Sequence, residues 1–361
     1  MKGAWETVLR NAKKYIESFL KIRTKEGKIV PFILNEPQNR FYETIKSKWN
    51  AGKPVRVIVL KARQMGFSTL TEGLIFWATA TQSNVDAMIV AHKDDATGNI
   101  FRMSKLFYEM LPAPIRPQRQ ASNAQELSFN TPSNSKSKLE GLRSRIRCAT
   151  AGGSGVGRSY TLQCVHMSEF AFWPGDKMET YTGLMQAVPD APRTMVVIES
   201  TANGYDEFKD MWDAAVKAQR DGDEDGFIPI FFPWYEMSEY RRPVPPDFVP
   251  TQEELGLQEQ FSLKLEQIVW RRWCIKVNCL GNIDKFHQEY PATPEEAFIS
   301  TGKSIFDKAQ LVKRIEEVRD VQWIKGNFRY DYNDEMPRGK KIRNIRFVES
   351  KNGMKIGRAH V

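Results

Sequence analysis

The chain has 361 residues, of which 41% are hydrophobic and 11% aromatic. This composition can fill a sizeable core, so it excludes a globally disordered protein, and at roughly 150 residues per domain the length predicts two domains. The longest apolar runs, such as Val57–Leu60, are far shorter than the ~18 residues that span a bilayer. The amino terminus has no apolar stretch typical of a secretory signal. We therefore expect a soluble, intracellular protein.

The net charge of +9 is concentrated at the two ends of the chain. Residues 1–28 carry +5 and residues 337–361 carry +7, so the segment between them carries −3. A basic protein often binds a polyanion, but solvated tails explain this distribution equally well. Net charge alone therefore does not establish a nucleic-acid partner.

Hydrophobic periodicity predicts alternating helices and strands over the first two thirds of the chain. An amphipathic helix fits Trp5–Leu20, and a helix over Asn39–Trp49 follows a short extended segment that is punctuated by prolines. The predicted strands are Val55–Leu60, Val85–Val90, Leu162–Met167, Thr194–Glu199 and Phe227–Phe232. The predicted helices between them are Ser68–Ala80, Asp95–Met110 and Asp206–Gln219. This alternation predicts an α/β fold, a mostly parallel sheet with helices on both faces.

The pattern changes after the last of these strands. Residues 234–250 contain four prolines and no periodicity, which predicts a linker. A helical segment over Gln252–Trp273 and a proline-interrupted segment over Phe286–Gly302 follow it. Apolar residues alternate in places within residues 342–347, where we expect a new sheet to begin.

The turn after Val55–Leu60 is similar to a phosphate-binding P-loop (Walker A). Residues 61–69, KARQMGFST, match the second glycine and the hydroxyl of G-x-x-x-x-G-K-[ST] at Gly66 and Ser68. Phe67 replaces the lysine, and Lys61 stands where the first glycine is expected. A lysine at the start of the loop can still reach the phosphates, and a strand–turn–helix connection supplies inward N–H groups. An ordinary β–turn–α connection is the alternative.

Two further predicted strands end in polar residues. Leu162–Met167 leads into Ser168 and Glu169, where P-loop NTPases place an acid beside Mg²⁺ and a glutamate that polarises the attacking water. Thr194–Glu199 leads into residues 200–204, STANG, which suit a switch that senses the γ-phosphate. Each cluster alone has an ordinary explanation as a solvated strand end or helix cap. Because the carboxyl ends of parallel strands share one edge of a sheet, we expect the clusters to meet there.

Together with residues 166–173 (HMSEFAFW) and 286–298 (FHQEYPATPEEAF), these motifs resemble the large terminase subunit of tailed bacteriophages. The likeness covers most of residues 31–306, and displaced-lysine P-loops and Ser-Glu in place of Asp-Glu both occur in that family. It implies an ASCE/RecA-like P-loop ATPase, with ATP and Mg²⁺ as cofactors, that translocates double-stranded DNA into a procapsid. It also implies an RNase H-like endonuclease domain in the full-length protein.

The resemblance further implies partners and a location. The partners are double-stranded DNA, the portal protein of the procapsid and the small terminase subunit. The active form is a homo-oligomeric ring, a pentamer, in the host cell cytoplasm and without a membrane.

The resemblance also implies roles for individual residues. Glu169 is the expected catalytic carboxylate, and Arg158 the expected arginine finger acting on a neighbouring subunit. The rivals of Arg158 are Arg143, Arg145 and Arg147. The residues expected to bind ATP and its phosphates are Gln38 (the adenine reader), Lys61, Arg63, Gln64, Gly66, Ser68 and Thr69. The expected Mg²⁺ residues are Ser68 and Ser168, and the expected coupling residues are Ser200, Thr201, Asn203 and Gly204.

The predicted organisation has five segments. They are an amino-terminal helical segment (1–30), the P-loop ATPase core (31–233), a linker or small subdomain (234–305), the start of a truncated RNase H-like domain (306–354) and residues 355–361. The last segment, KIGRAHV, back-translates to a common sequencing-library adapter. We expect it to be an artefact and the natural chain to continue, a genuine terminus being the alternative. Asp331, Asp334 and Glu335 are expected to be loop charges, so no nuclease site is assigned.

Two other functions stay open at this point. One is a helicase-like or DNA-repair ATPase on the same sheet, which requires further helicase motifs after Gly204. The other is a non-hydrolysing nucleotide- or DNA-binding scaffold, in which the changes at Phe67 and Ser168 have abolished catalysis. An ATPase assay of the wild type against Glu169→Ala and Lys61→Ala discriminates between these readings.

Overall fold

The computed structural model describes residues 2–131, 141–153, 156–157, 160–299, 314, 317, 324–332, 342–349 and 354–356. The chain forms two compact units, Met1–Gly302 and Lys303–Val361. Within the described ranges, no helix is both long and apolar enough to cross a membrane.

The first unit alternates helices and strands along most of its length. Its helices are α1 (Lys2–Arg10), α2 (Ala12–Phe19), α3 (Glu36–Asn50), α4 (Phe67–Thr81), α5 (Asp94–Met110), α6 (Lys177–Ala187), α7 (Glu207–Arg220), α8 (Gln252–Phe261), α9 (Leu265–Val277), α10 (Ile283–Glu289) and α11 (Pro294–Ile299). Its strands are β1 (Lys21–Arg23), β2 (Ile29–Pro31), β3 (Val55–Lys61), β4 (Asp86–Ala91), β5 (Ala121–Ser122), β6 (Glu126–Phe129), β7 (Ser144–Thr150), β8 (Cys164–Ser168), β9 (Met195–Ser200) and β10 (Ile228–Phe232).

The main sheet has eight strands in the order β10-β3-β9-β8-β4-β7-β6-β5. The strands from β10 to β7 are parallel, and β6 and β5 extend the sheet in antiparallel fashion. Strands β3, β8 and β9 are buried along their whole length. Their near-continuous apolar sequences suit the centre of a parallel sheet that is covered on both faces.

Helices cover both faces of this sheet. Side chains alternate along β3, so that Val57 and Val59 pack in one core with α2, α3, α4 and α5. Ile58 and Leu60 pack in a second core with α6 and α7. The predicted α/β fold, with a mostly parallel sheet between helices, is therefore confirmed.

Two predicted helices are each divided in the structure. The amino-terminal helix breaks at Asn11, whose side chain caps α2 by accepting a hydrogen bond from the backbone N–H of Lys14 at 2.9 Å. The helix expected over Gln252–Trp273 is interrupted at Ser262, which ends α8 with a φ of 53°. Hydrophobic periodicity continues across both breaks, which is why it predicted single helices.

Several elements between α5 and β9 were not predicted. The short strands β5 and β6, the strand β7 and the helix α6 all lie in this part of the chain. In β7 the buried residues Ser144, Ile146 and Cys148 alternate with partly exposed ones. Alternation of this kind is typical of a half-buried strand, but β7 was not among the predicted strands.

The residues after β10 pack closely through aromatic rings. Trp234 and Tyr240 stack on Trp270 of α9, with ring centroids 5.2 and 4.3 Å apart. Phe286 and Tyr290 pack against the same ring from the region of α10. The proline-rich residues 234–250 are thus attached to the helices that follow them.

The second unit contains an antiparallel sheet of the strands β11 (Ile324–Tyr332), β12 (Ile342–Glu349) and β13 (Met354–Ile356), in the order β12-β11-β13. Asp331 lies in β11 and accepts a hydrogen bond from Asn344 at 2.8 Å, so its expected placement in a loop is wrong. Asp334 and Glu335 lie outside the described residues. The RNase H-like assignment of this region stays a prediction.

Candidate active site at the carboxyl edge of the sheet

The loop between β3 and α4 makes a tight turn that depends on Gly66. This residue precedes α4 with a φ of 81°, in the left-handed region that glycine adopts without strain. A Cβ on Gly66 would lie only 2.7 Å from Nε2 of Gln38. Gln64, which is exposed, also has a positive φ, 54°. Non-glycine residues in this region are strained and cluster at functional sites.

Gln38 connects the start of α3 to this loop through hydrogen bonds. Its Nε2 donates to the Gly66 carbonyl at 2.7 Å, and its Oε1 accepts from the backbone N–H of Asn35 at 3.0 Å. The Asn35 side chain completes the link by donating to the Met65 carbonyl at 3.2 Å. Both ends of the Gln38 amide are therefore engaged inside the protein, each with one further donor or acceptor position remaining.

Lys61 lies between two carboxylates at the edge of the sheet. Its Nζ is 2.9 Å from Oε1 of Glu169 and 3.4 Å from Oε2 of Glu199. Burial alone lowers the pKa of Lys61, but the two carboxylates outweigh that effect and hold the pKa above its ordinary value. The lysine is therefore charged at neutral pH, and it lies beside the predicted catalytic glutamate.

Glu199 joins the ends of the three predicted strands. Its Oε1 accepts hydrogen bonds from the hydroxyls of Ser68 and Ser168, the latter at 3.0 Å. Sequence reasoning assigned roles to both serines and missed the carboxylate between them. The available signal was an acid inside the otherwise apolar run of β9, because a buried carboxylate needs charged or hydrogen-bonding partners.

A buried network continues behind Glu199. His166 lies between two carboxylates, with Nε2 3.2 Å from Oε1 of Glu199 and Nδ1 2.9 Å from Oε1 of Glu72. The other Glu72 oxygen accepts from the Ser104 hydroxyl at 3.0 Å. Burial alone lowers the pKa of His166, but its hydrogen bonds to the two carboxylates raise that pKa to about 9. Both ring nitrogens therefore lie within hydrogen-bond distance of a carboxylate oxygen.

Arg63 points from the loop toward α10. Its backbone N–H donates to the Glu289 carbonyl at 2.9 Å, and its Nη1 lies 3.1 Å from Oε2 of the same glutamate. The Tyr240 hydroxyl donates to the Arg63 carbonyl. The Arg63 side chain is thus ion-paired with α10, and the loop is connected to the aromatic segment after β10. Thr69 is half-buried in the first turn of α4.

The expected coupling residues surround the turn that follows Glu169. The Ser200 hydroxyl accepts from the Ala171 N–H at 3.2 Å, and Asn203 Nδ2 donates to the Ala171 carbonyl at 3.2 Å. The backbone N–H of Thr201 lies 3.5 Å from Oε2 of Glu169. Glu169 itself has a φ of 51°, and Gly204 follows with a φ of 75°. A movement of Glu169 would therefore change these contacts with the end of β9.

The predicted arginine finger stays a prediction. Arg158 lies outside the described residues. Two of its rivals are engaged within the chain, since Arg145 pairs with Asp86 at 2.8 Å and Arg147 with Glu126 at 3.0 Å.

The oxygen atoms of this edge fit a hard divalent cation. The hydroxyl of Ser68 and the carboxylates of Glu199 and Glu169 are the ligand types that Mg²⁺ prefers. Oε2 of Glu199 is buried and, among the described residues, has no hydrogen-bond partner. The described part of the chain has no group of three or more His, Cys, Asp or Glu side chains arranged to hold a metal alone.

Comparison with solved structures finds folds similar to this one among phage terminases, whereas no protein-family model matches the sequence. The HK97 bacteriophage large terminase superposes with a TM-score of 0.55 at 14% identity, covering 89% of this chain and 60% of that one. The Thermus phage P74-26 large terminase ATPase domain has a TM-score of 0.44 at 16% identity, covering 65% and 86%. The large terminase of thermophilic bacteriophage D6E, in complex with ADP, has a TM-score of 0.37 at 13% identity, covering 55% and 45%.

The match to the HK97 protein extends over 60% of the length of that protein and over nearly all of this chain. The motif-based resemblance is therefore confirmed at the level of the fold: this chain has the fold of a bacteriophage large terminase.

Proposed function

We propose that the chain is the ATP-hydrolysing motor subunit of a phage DNA-packaging terminase. The observation that carries the proposal is the convergence of Lys61, Ser68, Glu169 and Glu199 beside the loop of Gly66. A cation, a hydroxyl and two carboxylates at a helix N-terminus are the groups that phosphoryl transfer to water requires. The fold of the HK97 large terminase supports the same function.

The residues of this edge suggest how hydrolysis proceeds. The loop N–H groups and Lys61 bind the phosphates of ATP, assisted by Arg63, Gln64 and Thr69. Mg²⁺, when bound through Ser68 and its neighbours, offsets the negative charge of the β- and γ-phosphates. Because Lys61 is ion-paired with Glu169 at 2.9 Å, phosphate oxygens compete for its ammonium group. Glu169 then accepts a proton from the attacking water as the general base.

The coupling of hydrolysis to movement follows from the contacts of Glu169. Ser200, Thr201, Asn203 and Gly204 lie against the turn after this residue, and Gln288 Nε2 lies 3.4 Å from the Ala202 carbonyl in the same segment. A change at the γ-phosphate can thus pass from the end of β9 to the helices that follow β10.

The complete assembly also belongs to the proposal. The motor acts on double-stranded DNA as a homo-oligomeric ring, a pentamer, on the portal of a procapsid in the host cytoplasm. The small terminase subunit is its other partner. An arginine such as Arg158 acts on the neighbouring subunit, and an endonuclease is present in the full-length protein.

A steady-state ATPase assay of the 361-residue chain, with and without double-stranded DNA, tests the catalytic assignment. We expect Glu169→Gln to lower kcat by about 10²–10⁴-fold, as for loss of a general base, and Lys61→Ala to abolish measurable turnover. Glu109→Gln, on the exposed face of α5, is the matched control and should retain wild-type rates. Equal rates in all of these variants would refute the assignment. ATP binding without hydrolysis in the wild type would instead favour the scaffold.

A further inference from the structure

We infer that Glu199 supplies the magnesium-side carboxylate that the Ser168-Glu169 motif lacks. In P-loop NTPases an acid at the end of a second strand acts with the loop hydroxyl on Mg²⁺. Here that position is Ser168, which has no charge. The inference rests on the proposed ATPase function and adds a residue to it that the motif pattern does not indicate.

Sheet order brings Glu199 to the required place. Strand β9 lies between β3 and β8, and the parallel register pairs Glu199 with Ser168 on one side and with Val59 on the other. The carboxylate is therefore one strand closer to the loop than the serine, at the same level of the sheet. The longer glutamate side chain begins within β9 and reaches the hydroxyl of Ser68 in the first turn of α4.

The two carboxylate oxygens of Glu199 have different contacts. Oε1 accepts from the hydroxyls of Ser68 and Ser168 and faces Nε2 of His166. Oε2 is buried, lacks a hydrogen-bond partner within the described ranges, and has Lys61 Nζ 3.4 Å away. The Lys61 ammonium offsets the charge of this oxygen without a hydrogen bond, and a bound cation would supply the direct contact that Oε2 lacks. Oε2 is thus the oxygen that is available to the metal or to one of its waters.

His166 and Glu72 act as positioning residues for this carboxylate. The His166 ring is completely buried and spans the gap from Glu199 to Glu72, which is itself held by Ser104. The side chain of Glu199 is therefore oriented through contacts to Oε1, while Oε2 lies 3.4 Å from Nζ of Lys61. Outer-shell contacts of this kind commonly orient metal ligands. Ser168 also orients Glu199, because its hydroxyl donates a hydrogen bond to the carboxylate.

The competing explanation is that Glu199 only neutralises Lys61. In that case its removal should change nucleotide affinity equally with and without a divalent ion. A metal-side carboxylate should instead change affinity only when the ion is present. The two explanations therefore separate in a binding measurement that does not depend on catalysis.

The test measures binding of adenylyl imidodiphosphate to the 361-residue chain in Mg²⁺ and in EDTA, and counts bound Mn²⁺ by electron paramagnetic resonance. We expect Glu199→Gln to weaken Mn²⁺ binding in the ternary complex by about tenfold or more, since even outer-shell changes alter metal affinity by roughly 10–100-fold. In EDTA, the nucleotide affinity of Glu199→Gln should differ from that of the wild type by less than about threefold. Glu199→Asp keeps the charge and provides the second variant, and it should weaken Mn²⁺ binding in the same direction.

A double variant tests whether a carboxylate at a neighbouring position can replace Glu199. Combining Glu199→Gln with Ser168→Asp returns a carboxylate to β8, and Mn²⁺ affinity should recover to within about threefold of the wild type. A Glu199→Gln chain that keeps the full Mg²⁺ effect on nucleotide affinity would overturn the inference while leaving the proposed ATPase intact. A wild-type chain that binds no nucleotide would overturn both.

Discussion

Replacing Gly66 with alanine tests the geometry of the loop between β3 and α4. Gly66 has a φ of 81°, and a Cβ added to it would lie 2.7 Å from Nε2 of Gln38. That nitrogen is the atom that donates to the Gly66 carbonyl. The substitution therefore strains the backbone and also displaces the Gln38 amide, and we expect a less stable chain with weaker nucleotide binding.

Two contributions of similar size set the magnitude. A non-glycine residue in the left-handed region costs about 1–2 kcal/mol, and the loss of one hydrogen bond costs about 0.5–1.5 kcal/mol. Gly66→Ala should therefore lower the free energy of unfolding by roughly 1.5–3.5 kcal/mol. Gly52 is the matched control, because its φ is 68° and a Cβ there meets nothing within 4 Å. Gly52→Ala should show the backbone strain alone, about 1–2 kcal/mol.

Urea denaturation followed by far-ultraviolet circular dichroism, applied to Gly66→Ala, Gln38→Ala and the double variant, measures the coupling. In the double variant the hydrogen bond is lost only once, so the summed single effects should exceed the double effect by about 1 kcal/mol. Effects that add within about 0.3 kcal/mol would contradict this reasoning. So would a Gly66→Ala effect no larger than that of Gly52→Ala.

Three further predictions follow from buried or shared contacts. Lys61→Met should lower the free energy of unfolding by about 3 kcal/mol or more, because it removes the ammonium group that pairs with the buried Glu199; adding Glu199→Gln should recover part of the loss in the same urea measurement. Tyr240→Phe removes the donor to the Arg63 carbonyl and should accelerate amide hydrogen exchange in residues 61–66, whereas Tyr235→Phe should not. The four cysteines are buried free thiols, so a thiol reagent such as DTNB should titrate them only after denaturant is added; rapid reaction in the native state would contradict their burial.

Local patterns in the sequence were sufficient to predict the central strands and the tight turn between β3 and α4. Apolar runs bounded by polar residues predicted β3, β8 and β9 to within about two residues at each end. The need for glycine at Gly66 follows from one tight turn between a strand and a helix. These features depend on neighbours in the chain, which is why a single sequence contains them.

Breaks and short strands were harder to predict for a related reason. The division of the first helix depends on one hydrogen bond from Lys14 to Asn11, and the end of α8 depends on the backbone conformation of Ser262. Neither interrupts the apolar period that predicts a helix. The strand β7 lies near the antiparallel end of the sheet and is only half-buried, so its pattern is weak.

Only the tertiary structure decided how the site is assembled. Ser68 and Glu199 are separated by 131 positions in sequence, and Glu72 and His166 by 94, yet each pair is in hydrogen-bond contact. Their meeting depends on the strand order, which places β9 between β3 and β8 although it follows both in the chain. Sequence alone determined that polar residues end the strands of a parallel sheet. Which carboxylate faces the loop was decided by long-range strand pairing, because that pairing sets which side chains become neighbours.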